Sequence, residues 1–307
     1  MTTALEQLAD QGYLVLPGVL SDNELEEIRA TVDELLAREK EHPFEPKDGP
    51  PSSGDSEIEK FFSDSYTVSR AELDRLMRRV RHTRAENLGT PWPVPPNQVI
   101  KMFLHLPILF DQDKSQRVQD LPAKSERLAR LIEHPQVLEL VRGVLGPDCV
   151  LSDFSVNCIG AKANEGGAWH VDVPLGQLPE PLPDFPLTVQ NVFMLDDFTP
   201  ENGATRVVTR SHLLRRKPSW ISGTHPDEVI LTAPAGSVAI WLSNTWHRSG
   251  PNTTDRPRRA LLGYYSRSWV KPFNDYRLSI PRSMVERFSP TLRYLLGFSA
   301  NCPALRG

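Results

Sequence analysis

Apolar positions recur at helical spacing through roughly the first half of the chain, then alternate in short runs. In residues 22–40, DNELEEIRATVDELLAREK, the large aliphatic residues fall at 25, 28, 32, 35 and 36, one face of a 3.6-residue period. Ser21 and Glu24 stand before that run with the spacing of a capping box. ALEQLAD (4–10) predicts a shorter helix stopped by Gly12, and YLVLPGVL (13–20) has strand character. Helices are also expected over AELDRLMRRVRHT (71–83), SERLARLIEH (125–134) and PQVLELVRGVLG (135–146). Residues 41–66 are rich in Pro, Gly, Ser and acidic side chains and read as a long loop of the kind that serves as a lid. No completed core precedes that loop, so it is not read as a domain boundary, and PWPVPP (91–96) reads as a rigid connector.

From about residue 149 strand-like runs follow one another: CVLSDFSVNCIGA, AWHVDVP, LTVQNVFMLDD, TRVVTR, EVILTAP, GSVAIWLSN and RALLGYYSRSW. Turn residues such as PENG, APAG and GPNTTDRP separate them. Many short strands with turns between them predict a sandwich or barrel rather than alternating βαβ units. The expectation is one α+β domain over 1–307 with a mainly β, double-sheet core. A helix-rich front half (about 1–148) covers one sheet of a strand-rich core (about 149–270). The tail, 271–307, reads as helix and coil that either packs over the core or mediates a dimer, which leaves monomer and homodimer both open.

Composition narrows the classes. Hydrophobic residues make up 39% of the 307 positions and charged residues 24%, an ordinary globular balance, with a net charge of −4. That charge gives no electrostatic reason to expect nucleic acid or an anionic membrane as partner. The basic cluster at 75–84 reads as a solvated helix face, and RPRR (256–259) is equally local. Cys149, Cys158 and Cys302 form no CxxC pair, which suits a reducing cytoplasm. No basic-then-apolar leader and no run of 18 uncharged apolar residues is visible. The expectation is a cytoplasmic protein that acts on a small molecule.

The candidate chemistry lies in the strand-rich half. Of the eight histidines, His42, His82, His134 and His225 sit in loops, turns or polar helix ends and suggest no site. In GGAWHVDVP (166–174), by contrast, strand alternation would put His170 and Asp172 on one face and turn Trp169 away. His247 ends the apolar strand of VAIWLSNTWHRSGPN, where Trp246 is likewise a packing residue. Two histidines and a carboxylate, two from one strand and the third from a distant one, make the facial pattern of non-haem Fe(II) oxygenases. Arg258, eleven residues beyond His247, can bind a carboxylate bidentately and fix an acidic cosubstrate against the metal. Ser249 should point the same way as His247 and can add a hydroxyl contact.

On these residues the chain resembles the phytanoyl-CoA dioxygenase family of Fe(II)- and 2-oxoglutarate-dependent oxygenases. The resemblance runs through DQGYLVLPGVLSDNELEEIR, WHVD, MLDDFTPENGATRVVTRSH and HRSGPNTTDRPRRA, nearly the whole chain. It implies a double-stranded β-helix, the cupin-like jelly roll, with helices packed on one sheet. It also implies His170, Asp172 and His247 as iron ligands, Arg258 as anchor for the distal carboxylate of 2-oxoglutarate, and O₂ as oxidant. Where the family often shows Pro-Gly-Ser-His and a Gly-Asp, this chain has TRSH (209–212) and Gly236-Ser237, departures that leave the ligand set untouched. Asn157 can reach the cosubstrate or the substrate, or be a satisfied core amide. Gln190 either meets the cosubstrate or caps a sheet hydrogen bond. His105, in KMFLHLPILF, is a candidate pocket residue with a structural role as its competing reading.

The implied reaction is hydroxylation of an unactivated C–H in a secondary metabolite or lipid-like acid, with release of succinate and CO₂. Relatives that halogenate carry a small residue in place of the carboxylate. Asp172 therefore favours hydroxylation or another non-halogenating oxidation such as desaturation. Two competing readings are a cupin-like metalloprotein with redox-neutral isomerase or hydrolase chemistry and a degenerate binding protein.

Overall fold

A computed structural model describes residues 3–41, 48–65, 69–86, 115–163, 166–172, 174–219 and 223–299. His105, His42 and the PWPVPP connector lie outside the described residues.

The N-terminal elements follow their local signals. A reciprocal Thr3–Glu6 capping box opens α1 (Ala4–Gln11), and Gly12, at φ +86°, takes the left-handed conformation that ends it. After β1 (Tyr13–Leu16), α2 (Asp22–Glu41) starts behind Ser21. The Ser21 N–H donates to the Glu24 carboxylate at 2.9 Å, and the Glu24 N–H donates to Ser21 Oγ at 3.4 Å. Leu25, Ile28, Val32 and Leu35 form the buried face of α2.

The expected 41–66 loop is only partly a loop. Residues 55–65 form α3 (Asp55–Ser65), which packs near α4 (Arg70–Glu86). The Ser52 N–H donates to Asp55 at its start, and Ile58 and Phe62, one turn apart, are buried. The Pro/Gly/Ser run at 50–54 masks a short amphipathic helix, because only two aliphatic or aromatic positions carry its buried face. Beyond β2 (Ser115–Val118) and the short helix α5 (Leu121–Lys124), which was not expected, α6 (Glu126–Arg130) and the longer α7 (Pro135–Leu145) fall within the expected helical stretches.

The strands are β3 (Val150–Ile159), β4 (Thr188–Met194), β5 (Thr205–Val208), β6 (Glu228–Ile230), β7 (Val238–Leu242), β8 (His247–Ser249) and β9 (Arg258–Ser266). They make an antiparallel six-stranded sheet in the order β1-β7-β4-β9-β3-β2 and a three-stranded sheet in the order β6-β5-β8. The non-sequential order is that of a jelly roll, as expected.

Strand alternation gives the large sheet two faces with different partners. Val189 and Phe193 of β4, Val238 and Ile240 of β7, Phe154 and Val156 of β3, and Leu261 and Tyr265 of β9 join one apolar core with helices α1, α2 and α7. Val192, Met194, Ala239, Trp241 and Ala260 face inward and meet Val207 of the small sheet, with Phe198 and Leu231, in a second core. The C-terminal elements α8 (Tyr276–Ser279), α9 (Arg282–Val285) and α10 (Pro290–Leu295) pack over the core. Tyr276, Val285, Leu292 and Leu295 enter the same outer core as the helices.

One glycine is fixed by close approach. Gly263 of β9 faces Asn191 of β4, and a Cβ at 263 would collide with the Asn191 side-chain amide, which is fully buried. Gly263→Ala should therefore destabilise the fold by about 1–3 kcal/mol through overpacking. Much of that loss should return in the Gly263→Ala/Asn191→Ala double variant. Chemical denaturation of the three variants measures it, and additive losses would show that the two positions do not clash.

Candidate metal centre

Between the two sheets lies a cavity of about 260 Å³. Its walls include all seven described residues singled out from the sequence: His170, Asp172, His247, Arg258, Ser249, Asn157 and Gln190.

The expected strand AWHVDVP forms no regular ladder. His170 makes a single antiparallel bridge with His247, each N–H donating to the other's carbonyl, at 3.1 and 3.0 Å. Two residues on, the Asp172 N–H turns instead to the Ser243 carbonyl at 2.9 Å. The segment is extended, but its partners come from two places along 243–247, so pairing cannot propagate. The expected alternation survives. Trp169 and Val171 are buried in a satellite cluster with Trp246, while His170 and Asp172 line the cavity. Both tryptophans are packing residues, Trp169 Nε1 donating to the Gly223 carbonyl at 2.9 Å and Trp246 Nε1 to that of Arg216 at 2.7 Å.

Gly166 and Gly167 let this segment approach β8. A Cβ on Gly166 would lie 2.8 Å from the Ser249 carbonyl oxygen, and one on Gly167 would lie 2.8 Å from Ser249 Oγ. Ser249 Oγ accepts the Gly167 N–H at 3.1 Å, so its hydroxyl also clamps the loop that carries His170.

One ligand-competent atom from each of His170, Asp172 and His247 lies within 4.8 Å of the other two. His247 Nε2 stands 3.3 Å from Asp172 Oδ1. The Nδ1 atoms face carbonyls two residues back, His170 to Ala168 and His247 to Thr245, both at 2.8 Å. A carbonyl accepts only, so each Nδ1 carries a proton and leaves Nε2 facing the cavity, while the carboxylate of Asp172 and its hydrogen bond outweigh burial and push the His247 pKa up. Burial works against the charge of Asp172, yet the His247 imidazole beside it, with His170, holds the carboxyl below the usual range. Two imidazoles and a carboxylate converging on one point are a donor set suited to a divalent transition metal, which would take the place of the Nε2 proton. The residues fit an iron ion.

Arg258 opens β9 and is 3% exposed. Burial pulls its pKa down to about 10, still cationic at neutral pH. Its guanidinium lies 4.4 Å over the Phe198 ring, and Nη2 donates to the Gly203 carbonyl at 3.1 Å, while Nε has no partner. Among the described residues no carboxylate pairs with it. A buried cation with donors to spare is stable only with an anion to complete it, and a bidentate carboxylate fits the fork. Asn157 lines the cavity from β3. Gln190 faces Asp172: with its nitrogen turned to the carboxylate, the amide donates to Oδ1 at 3.3 Å and Oδ2 at 3.2 Å.

Several lining residues were not anticipated: Arg117, Asp153, Thr205, Trp241, Tyr264 and Phe273. Parity could have found two of them, since Asp153 shares the inward face of β3 with Asn157, and Tyr264 that of β9 with Arg258. Arg117 sits opposite Asn157 on β2, a strand with no clear period, and Phe273 depends on the path of the tail.

The sequence profile of the phytanoyl-CoA dioxygenase family matches residues 8–260. Dioxygenase af480 of Aspergillus fumigatus is 31% identical over 197 residues, 63% of this chain and 62% of that protein. Dioxygenase andF of Emericella variicolor is 33% identical over 116 residues, 36% of this chain and 38% of that protein. The match thus spans less than two thirds of either relative. Among solved structures, the epimerase SnoN in complex with Fe³⁺, alpha ketoglutarate and nogalamycin RO superposes with a TM-score of 0.51 at 22% identity, over 86% of this chain and 84% of that one. The non-haem monooxygenase ThoJ gives 0.55 at 17% identity, over 88% and 80%. At these identities the structural likeness speaks for the fold. The family match over 8–260 carries the assignment: this chain belongs to the phytanoyl-CoA dioxygenase family of Fe(II)- and 2-oxoglutarate-dependent oxygenases.

Proposed function

We propose that the protein is an Fe(II)- and 2-oxoglutarate-dependent dioxygenase that hydroxylates an unactivated C–H of a small organic molecule. The observation that carries this reading is one cavity holding both the His170–Asp172–His247 cluster and a buried Arg258 with no carboxylate partner among the described residues. Bound iron, with 2-oxoglutarate and O₂, supplies the oxidising power for C–H cleavage, and succinate and CO₂ leave as co-products. The chain's own residues do the rest. His170 and His247 offer Nε2 lone pairs, fixed by their Nδ1–H bonds to carbonyls, and Asp172 offers a charge-compensating oxygen. Arg258 holds the distal carboxylate of the cosubstrate in a water-poor pocket, where its charge is little screened. Asn157 and Ser249 supply polar contacts along the same wall. Tyr264 and Phe273, stacked with ring centroids 5.4 Å apart, give the cavity an apolar wall for a carbon skeleton. No helix among the described residues is long and apolar enough to cross a membrane, in keeping with a diffusible substrate.

The buried Arg258 without a carboxylate partner among the described residues favours an enzyme that uses 2-oxoglutarate over a metalloprotein that uses no acidic cosubstrate. Iron-loaded protein supplied with 2-oxoglutarate, O₂ and a library of small organic molecules should release succinate when the cognate substrate is present. Product formation without any succinate would instead establish the redox-neutral chemistry. Asp172→Ala should bring succinate formation to background, and undiminished turnover in that variant would remove Asp172 from the ligand set.

Arg258→Leu should raise the apparent KM for 2-oxoglutarate by about 30-fold or more, the equivalent of losing roughly 2–5 kcal/mol from a buried charged pair. Arg258→Lys should recover little of it, because an ammonium cannot reproduce the fork. Initial rates against 2-oxoglutarate concentration, at saturating metal, measure both. A KM unchanged in Arg258→Leu would place the anchor elsewhere.

A further inference from the structure

We propose that Gln190 is a positioning residue for the metal-ligand carboxylate, acting through Asp172 rather than on the cosubstrate. The inference rests on the iron-centre reading above and adds a residue to it.

Gln190 projects from the inner face of β4, in line with Val192 and Met194, and its neighbours on the paired strands are Trp241 and Tyr264. An amide set among such side chains needs a hydrogen-bond partner to offset its loss of water. Asp172 is that partner, with both carboxylate oxygens within 3.3 Å of the amide nitrogen. The orientation follows from chemistry. An ionised carboxylate accepts only, so the amide must present its N–H groups, and the reverse orientation would set three oxygens against one another.

Asp172 needs such support. Its segment has left the sheet ladder: its N–H donates to the Ser243 carbonyl at 2.9 Å and its carbonyl accepts the Gly176 N–H at 3.0 Å, and neither bond orients the side chain. A carboxylate that gives one oxygen to a metal keeps a second oxygen whose hydrogen bond decides which way the group faces. The Gln190 amide supplies that bond from a strand paired on both sides, the stiffest kind of support available here. Being neutral, it turns the carboxylate without diminishing the charge that offsets the metal.

The test uses the full-length chain stripped of metal and titrated calorimetrically with Ni(II), a redox-inert stand-in for Fe(II). 2-Oxoglutarate is then titrated into the Ni(II)-saturated protein. Gln190→Met keeps the side-chain volume and removes the donor, and Gln190→Asn keeps the amide one methylene short. Both should weaken Ni(II) binding by about 10- to 100-fold, the usual effect of removing a group that orients a metal ligand. Affinity of the Ni(II)-saturated protein for 2-oxoglutarate should stay within about twofold of wild type, and the metal-free melting temperature should move by no more than a few degrees. Ni(II) affinity unchanged in either folded variant overturns the proposal. So does weakened 2-oxoglutarate binding with metal affinity intact, which would make Gln190 a cosubstrate contact. A wild-type chain that binds no Ni(II) would instead bring down the metal-centre reading itself, so the two failures are told apart by the wild-type titration.

Discussion

The candidate centre depends on one short backbone contact, the reciprocal pair of hydrogen bonds between His170 and His247. That bridge lies 77 residues apart in sequence and joins an irregular extended segment to the first residue of β8. Because the two residues face each other across an antiparallel pair, their side chains leave on the same side, with ring centroids 4.2 Å apart. Asp172, two positions along, then has to arrive on that side as well. The approach is close enough that Gly166 and Gly167 must lack side chains, and Ser249 spends its hydroxyl on holding them there. Three donor atoms from two distant segments converge because of backbone geometry, before any side-chain preference enters.

The large sheet makes this contact durable. Its outer face is anchored by helices from both ends of the chain, with Leu8 and Leu295 in the same apolar core. Burial of that kind is the dominant favourable term in folding, and it fixes the strands whose opposite face carries the chemistry. The inner face is free to hold groups that a well-packed core would exclude: Gln190, Asn157, Asp153 and Arg258. An interior with this many polar groups is stable only where they complete one another or a ligand completes them. The Gln190 amide and Asp172 carboxylate are an instance of the first, and on the proposed function the spare donors of Arg258 are an instance of the second.

Much of the architecture could be read before the structure, and for identifiable reasons. Ser21 and Glu24 form their capping box because its partners are three residues apart. The apolar face of α2 came out as expected, and α7, β3, β4, β7 and β9 fall on the stretches expected to be helix and strand, because such signals are local. The α3 helix escaped because its two buried residues, Ile58 and Phe62, stand next to a Pro/Gly/Ser run that dominates any local window. The strand expected at 168–174 did not form a ladder, since its pairing depends on where residues 243–247 run, and nothing within the segment records that.

The same division holds at the site. The H-x-D pair, the later His247 and Arg258 after its turn were legible in one dimension as candidates, because metal-competent side chains and a guanidinium suited to an anion are recognised by residue type and spacing. That much the sequence determined by itself: the chemistry on offer and the family to which the chain belongs. The tertiary structure alone decided which of these groups meet. It set Gln190 against Asp172 instead of leaving it as an unassigned strand amide, turned the Ser249 hydroxyl toward Gly167, brought Arg117 and Phe273 into the cavity wall, and left Arg258 buried without a carboxylate partner among the described residues. These arrangements depend on residues 18 or more positions apart and on how two sheets close over one another, which no local pattern encodes.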